Sequence, residues 1–128
     1  MTKVVSVRVS DIRPKYKDLE DWMGNPDNVY IGRKGIVFIT GFEGEKYRYP
    51  KTDSMWANPY KISDSCDRNE CIRLYKEYIV DKMEKGIITR SQLMGLKNKT
   101  LGCWCKTKKE PNTPCHGDIL IELINSIE

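Results

Sequence analysis

Two apolar-striped helices that bracket a short apolar run restrict the fold more than any other feature of this chain. From Arg68 to Lys85, Ile72, Tyr75, Ile79 and Met83 recur at spacings of three and four, which places them on one helical face. Asp67 is positioned to cap the first turn, Glu70 completes a capping box, and Gly86 suits the left-handed stop. The chain closes with DILIELINSI, where Ile119, Leu120, Leu123, Ile124 and Ile127 form a broad stripe that predicts a packed terminal helix. Between the two lie a short predicted helix at Ser91 to Leu96 and KTLGCWC, which reads as a strand. Helix, strand and helix in that order require a sheet that helices can cover, so the class is α/β.

The first half supplies the remaining strands. KVVSVRV (3 to 9) alternates and is β-branched, and VYI (29 to 31) is a second short strand that Gly32 ends. Residues 14 to 28 predict one helical turn around Leu19, Trp22 and Met23, ahead of the breakers Gly24, Asn25 and Pro26. GIVFITGF and EKYRY flank Glu43-Gly44 and predict a hairpin. The expectation is a small single α/β domain whose mixed sheet is flanked by helices, with a β-hairpin insertion. At 128 residues one domain suffices, and no Pro/Gly/Ser linker divides it.

Composition narrows the class of function. With 39% hydrophobic and 31% charged residues, no run approaches the roughly 20 apolar residues of a membrane span. MTKVVSVRVSDIRPK has no apolar core of a secretory signal, which predicts a reducing setting, cytoplasm or virion. Five cysteines there favour free thiols or metal ligands over disulfides. The net charge of +4 is concentrated: Lys97, Lys99, Lys106, Lys108 and Lys109 occur with no acid among them. Such a field draws anions, although a solvated lysine loop has the same composition.

The chemistry gathers in CWCKTKKEPNTPCHGD, which holds three of the five cysteines and the only histidine. Strand alternation puts Cys103 and Cys105 on one face and Trp104 on the other. A returning loop would bring Cys115 and His116 beside them, making a Cys3His set of the kind zinc takes. The same residues read equally as the edge of an open α/β sheet, where ligands settle against helix N-termini. In that reading Cys115 is a candidate nucleophile, His116 a candidate acid or base, and Asp118 an N-cap. Cys66 and Cys71 read as small packed residues. Gly32 and Arg33 after the VYI strand suit a phosphate or carboxylate, Trp56 and Asn58 in SMWANPY flank a turn, and Arg68 opens a helix against its dipole.

The order VYIGR, then SMWANPY, then the Arg-led helix, then LGCWC and PCHGD before an aliphatic helix, resembles the domain-of-unknown-function family 4326 of bacteria, phages and large DNA viruses. The resemblance spans residues 28 to 127 and implies no stated reaction. It sets residues 1–27 apart as a strand-plus-loop N-terminal extension packed on a 28–128 domain, and GIVFITGFEGEKYRYPKTD as an added insertion. Residues 35–53 then become a candidate contact for a protein partner.

Two functions follow as expectations. One is a pocket of Gly32, Arg33, Trp56, Asn58, Arg68, Cys103, Cys105, Cys115 and His116 that binds a nucleotide-like or phosphorylated ligand. The other is a zinc-stabilised module that contacts nucleic acid or protein without catalysis, or serves as a virion component.

Overall fold

The computed structural model describes residues 2–107, 109–110 and 112–127. Three strands, β1 (Lys3–Ser6), β2 (Asn28–Tyr30) and β5 (Thr100–Cys103), form a sheet in the order β1-β5-β2 with both pairings parallel. Strands β3 (Val37–Thr40) and β4 (Lys46–Tyr49) form the expected hairpin as a separate antiparallel sheet. The α/β class, flanking helices and hairpin insertion are as expected. Parallel and antiparallel pairing are divided between two sheets rather than combined in one.

Parallel neighbours require long crossovers, and these supply the layers. Between β1 and β2 run two short helices, α1 (Val9–Ile12) and α2 (Leu19–Met23). Val7, Ile12, Leu19, Trp22 and Tyr30 cluster on their side of the sheet. Between β2 and β5 run the hairpin, α3 (Arg68–Glu84) and α4 (Arg90–Met94), and α5 (His116–Ile127) follows β5. Tyr75 and Ile79 of α3, Leu93 of α4 and Leu120 and Ile124 of α5 join Ile31, Leu101 and Cys103 in the larger core on the opposite face. Strand alternation explains the division: Leu101, Cys103 and Cys105 belong to the larger core, while Trp104 packs against the smaller one. Gly102 faces the smaller side, where a Cβ would collide with Val7 and Trp22.

Helix ends follow their capping residues. Asp67 accepts from Glu70 N at 2.8 Å to start α3, and Gly86 (φ +74°) lies just beyond its end. Thr89 and Gln92 form a reciprocal capping box on α4. The first strand, expected over 3 to 9, ends at Ser6, and Val9–Ile12 form a helical turn with Ile12 buried. The terminal helix starts at His116 rather than Asp118, because Asp118 Oδ2 reaches back to Cys115 N (3.1 Å) and makes Cys115 the cap. Among the described residues, no helix is long and apolar enough to cross a membrane.

Candidate functional site

All three parallel strands end at the same edge of the sheet, and each delivers a polar residue there. Arg8 follows β1, Gly32 and Arg33 follow β2, and Trp104 and Cys105 follow β5. Open α/β sheets bind ligands outside their carboxyl ends, and here that edge borders a cavity of about 530 Å³. Its lining includes four cations, Arg8, Arg33, Lys61 and Arg68, together with Ile36, Tyr60, Ile62, Ile72, Trp104 and Pro114. No carboxylate is among the described lining residues, and Cys105 and His116 belong to the wall.

The arginines are held by backbone oxygens. Arg33 donates from Nε and Nη2 to the Asn58 carbonyl (3.0 and 2.7 Å) and from Nη2 to that of Tyr60 (3.2 Å). These bonds engage two of its three nitrogens. Arg8 Nη2 donates to the Trp104 carbonyl at 2.8 Å, with its guanidinium carbon 5.9 Å from that ring. Arg68 Nη1 donates to the Pro114 carbonyl at 3.4 Å. Beneath Gly32, Tyr30 donates to the Arg33 carbonyl (2.7 Å) and accepts from Trp104 Nε1 (2.9 Å). Burial pushes its phenol up to about 12.

Behind the cavity wall lies the thiol cluster. The sulfurs of Cys103, Cys105 and Cys115 lie within 4.8 Å of one another, with Cys103 and Cys115 buried and Cys105 half-buried. Cys115, directly before α5, lies beside the two cysteines at the end of β5. Lys106, only 6% exposed, donates from Nζ to the Thr113 carbonyl at 2.7 Å and to Asp118 Oδ2 at 3.2 Å. His116 Nδ1 is 3.7 Å from Cys115 Sγ, and Nε2 is 2.7 Å from the Ile31 carbonyl. A carbonyl only accepts, so Nε2 carries the proton and the Nδ1 lone pair is left for the thiol side. Tyr75 packs edge-on against the imidazole at 4.9 Å and donates to the Trp56 carbonyl at 2.6 Å.

These positions suit a metal. Tetrahedral zinc with bonds of about 2.3 Å to sulfur and 2.0–2.1 Å to nitrogen sets ligand atoms roughly 3.6–3.8 Å apart. Among the described residues the close group of donor atoms comprises the three sulfurs; His116, expected as a fourth ligand, is not in that group, and its Nδ1 lies 3.7 Å from Cys115 Sγ. Hydrogen bonds from Cys103 and then Cys115 hold Cys105 well below the usual thiol range, with His116 adding to the effect. Cys103 is pushed up, first by its bond to Cys105, and Cys115 is pushed up, first by its bond to Cys103, then by Cys105 and burial.

Six of the expected residues meet at the cavity: Gly32, Arg33, Asn58, Arg68, Cys105 and His116. Three do not line it. Trp56 is 4% exposed and packs in the larger core, because its indole is better buried than offered to solvent. Cys103 and Cys115 lie behind the wall, each with 0% exposure. Where a lowered thiol was expected at Cys115, bonds to Cys103 and Cys105 and then burial push it up, and Cys105 is the thiol held low. Asn58 has its amide committed, donating to the Cys71 carbonyl (3.3 Å) and accepting from Tyr60 N (2.9 Å).

The lysine run does not form one patch. Lys99 lies 3.7 Å from Asp27, Lys106 is buried against Asp118, and Lys108 lies outside the described residues. Arg8 and Lys61 are cavity cations that the sequence reading missed. For Arg8 the available signal was its place directly after the first strand.

Two viral relatives resemble this chain. A phage T4 protein named "uncharacterized 12.4 kDa protein in nrdA-td intergenic region" is 35% identical over 74 residues, which are 58% of this chain and 63% of that protein's length. The "uncharacterized protein R718" of Acanthamoeba polyphaga mimivirus is 34% identical over 131 aligned positions, covering 100% of this chain and 85% of that protein. No solved structure matches. The model of the family described as Domain of unknown function (DUF4326) matches residues 15–126, beginning upstream of the 28–127 span that carried the resemblance. With most of its length inside that match, the chain belongs to the DUF4326 family.

Proposed function

We propose that this domain binds a nucleotide-like or phosphorylated ligand in the cavity at the carboxyl edge of the parallel sheet. The observation that carries the reading is the gathering of Arg8, Arg33, Lys61 and Arg68, with no acid among the described lining residues, around apolar walls of a size suited to a small organic anion. Phosphoryl oxygens would meet the cations, and Trp104, Tyr60 and the isoleucines would take the less polar part. Burial of Cys115 favours binding over nucleophilic catalysis by that thiol. The proposed protein contact through residues 35–53 has support in Ile36, Phe38 and Phe42, all exposed on or beside the hairpin.

Calorimetric titration with adenosine triphosphate, tripolyphosphate and adenosine tests the ligand. The phosphorylated probes should bind and adenosine should not, with affinity falling as salt rises. A charge-assisted contact of about 1.5–3 kcal/mol makes Arg68→Gln about 10- to 100-fold weaker. Equal binding of adenosine and its triphosphate, or an unchanged Arg68→Gln, refutes the proposal.

A second reading, that zinc stabilises the domain through Cys103, Cys105, Cys115 and His116, is favoured by the sulfur cluster and the tautomer of His116. The committed Lys99 and Lys106 weigh against a broad nucleic-acid surface on the lysine run. Cobalt substitution tests this reading. Thiolate-to-cobalt charge-transfer bands should appear at one equivalent and be lost in the Cys105→Ser variant, and their absence from the parent protein counts against a metal.

A further inference from the structure

Two further thiols, Cys66 and Cys71, lie outside the cluster of Cys103, Cys105 and Cys115, and Cys71 lines the cavity. Asp67 caps α3, so Cys66 is the residue before the cap and Cys71 the fourth residue of the helix. Side chains at these two positions pack together when a helix is capped in this manner, normally as an apolar staple. Here both are thiols. The turn before the helix is closed by Ser63 N to Cys66 O (2.8 Å) and Cys66 N to Ser63 O (3.1 Å), which fixes Cys66 over the first turn. Its sulfur is 2.7 Å from that of Cys71. That is inside the roughly 3.5–4.0 Å of ordinary non-bonded contact even between carbons, and beyond the about 2.05 Å of a disulfide bond. Both cysteines are free, Cys66 half-buried and Cys71 buried against the cavity.

The geometry points to a reversible disulfide between Cys66 and Cys71 as a modification site of this chain, closed by a small-molecule disulfide and reopened by a small thiol. Exposure sets the order of events. The Cys66 thiolate attacks one sulfur of the oxidant and expels its first thiolate, giving a mixed disulfide. Cys71, already in contact, gives up its proton, attacks the Cys66 sulfur and expels the second thiolate. Two electrons pass from the pair to the oxidant, and the two protons end on the two released thiols. The bond ties the turn that follows Lys61 and Ile62 to α3, fixing one wall of the cavity. Formation of the bond does not depend on which ligand the cavity takes.

The sequence makes the test direct. Trypsin cleaves after Lys61, Arg68 and Arg73, so the two cysteines fall in separate peptides, ISDSCDR and NECIR. The folded protein is treated with glutathione disulfide, its remaining thiols are alkylated, and the digest is read by mass spectrometry. The expected product is the two peptides joined, lighter than their sum by two hydrogens and separated again by dithiothreitol. In the Cys71→Ser variant the reaction should stop at glutathione on Cys66, because the resolving thiol is gone. Wild-type Cys66 that remains glutathionylated, or that joins Cys103, Cys105 or Cys115 instead, overturns the assignment. So does a pair that stays fully alkylated after the treatment.

Discussion

Replacing His116 by alanine separates two roles of one side chain. In metal-free protein the change leaves the carbonyl of the fully buried Ile31 without the donor now 2.7 Å away. An unsatisfied buried acceptor costs about 1–3 kcal/mol, and losing the edge-on contact with Tyr75 costs about 0.5–1.5 more. The sum, about 1.5–4.5 kcal/mol, is a large part of the 5–15 kcal/mol typical of a domain yet leaves it folded. Urea denaturation in the presence of a chelator measures this first difference. Repeating it in excess zinc measures the second. If Nδ1 is a ligand, the variant binds zinc at least tenfold more weakly, so the gap to wild type widens by about 1.4 kcal/mol or more. An equal gap in chelator and in zinc would remove His116 from the ligand set. A metal-free loss below about 1 kcal/mol would show that the Ile31 bond does not hold the ring.

Two further perturbations test the frame around the site. Gly102→Ala places a methyl group against Val7 and Trp22, both buried, and overpacking of this kind costs about 1–3 kcal/mol; a melting temperature that does not fall would mean β5 and α2 are not in contact. Tyr30 ionises near pH 10 when unfolded and at about 12 when folded, so its neutral form adds no pH dependence below pH 10. Between pH 10 and 12 the unfolded chain alone loses the proton, and stability falls by up to about 1.4 kcal/mol per pH unit, a slope that Tyr30→Phe should reduce. An identical alkaline profile for that variant would refute the burial of this phenol.

What the sequence disclosed was local. The long helix and the terminal helix were legible because a period near 3.6 runs through Ile72, Tyr75 and Ile79 and through Leu120 and Ile124. Alternation likewise placed Cys103 and Cys105 on one face and Trp104 on the other. The helical turn at 9–12 escaped because four residues with only Ile12 buried are too few to display a period. Strand partners escaped because pairing is a long-range choice: Lys3 sits opposite Thr100, far along the chain. Lys106 looked like one member of a solvated run. Its burial depends on Thr113 and Asp118, which meet it only after the loop has folded back.

That clamp also explains why the two halves of the site cannot be treated separately. Lys106 fixes the loop through the Thr113 carbonyl and Asp118, Asp118 in turn holds Cys115 N at the start of α5, and His116 is the next residue. Cys105 and His116 therefore belong at once to the cavity wall and to the proposed donor set behind it. A metal on those donors would draw the strand end and the helix start together, and a phosphorylated ligand in the cavity would press on the same two side chains. Linkage then makes the effect reciprocal: the factor by which metal changes ligand affinity is the factor by which ligand changes metal affinity.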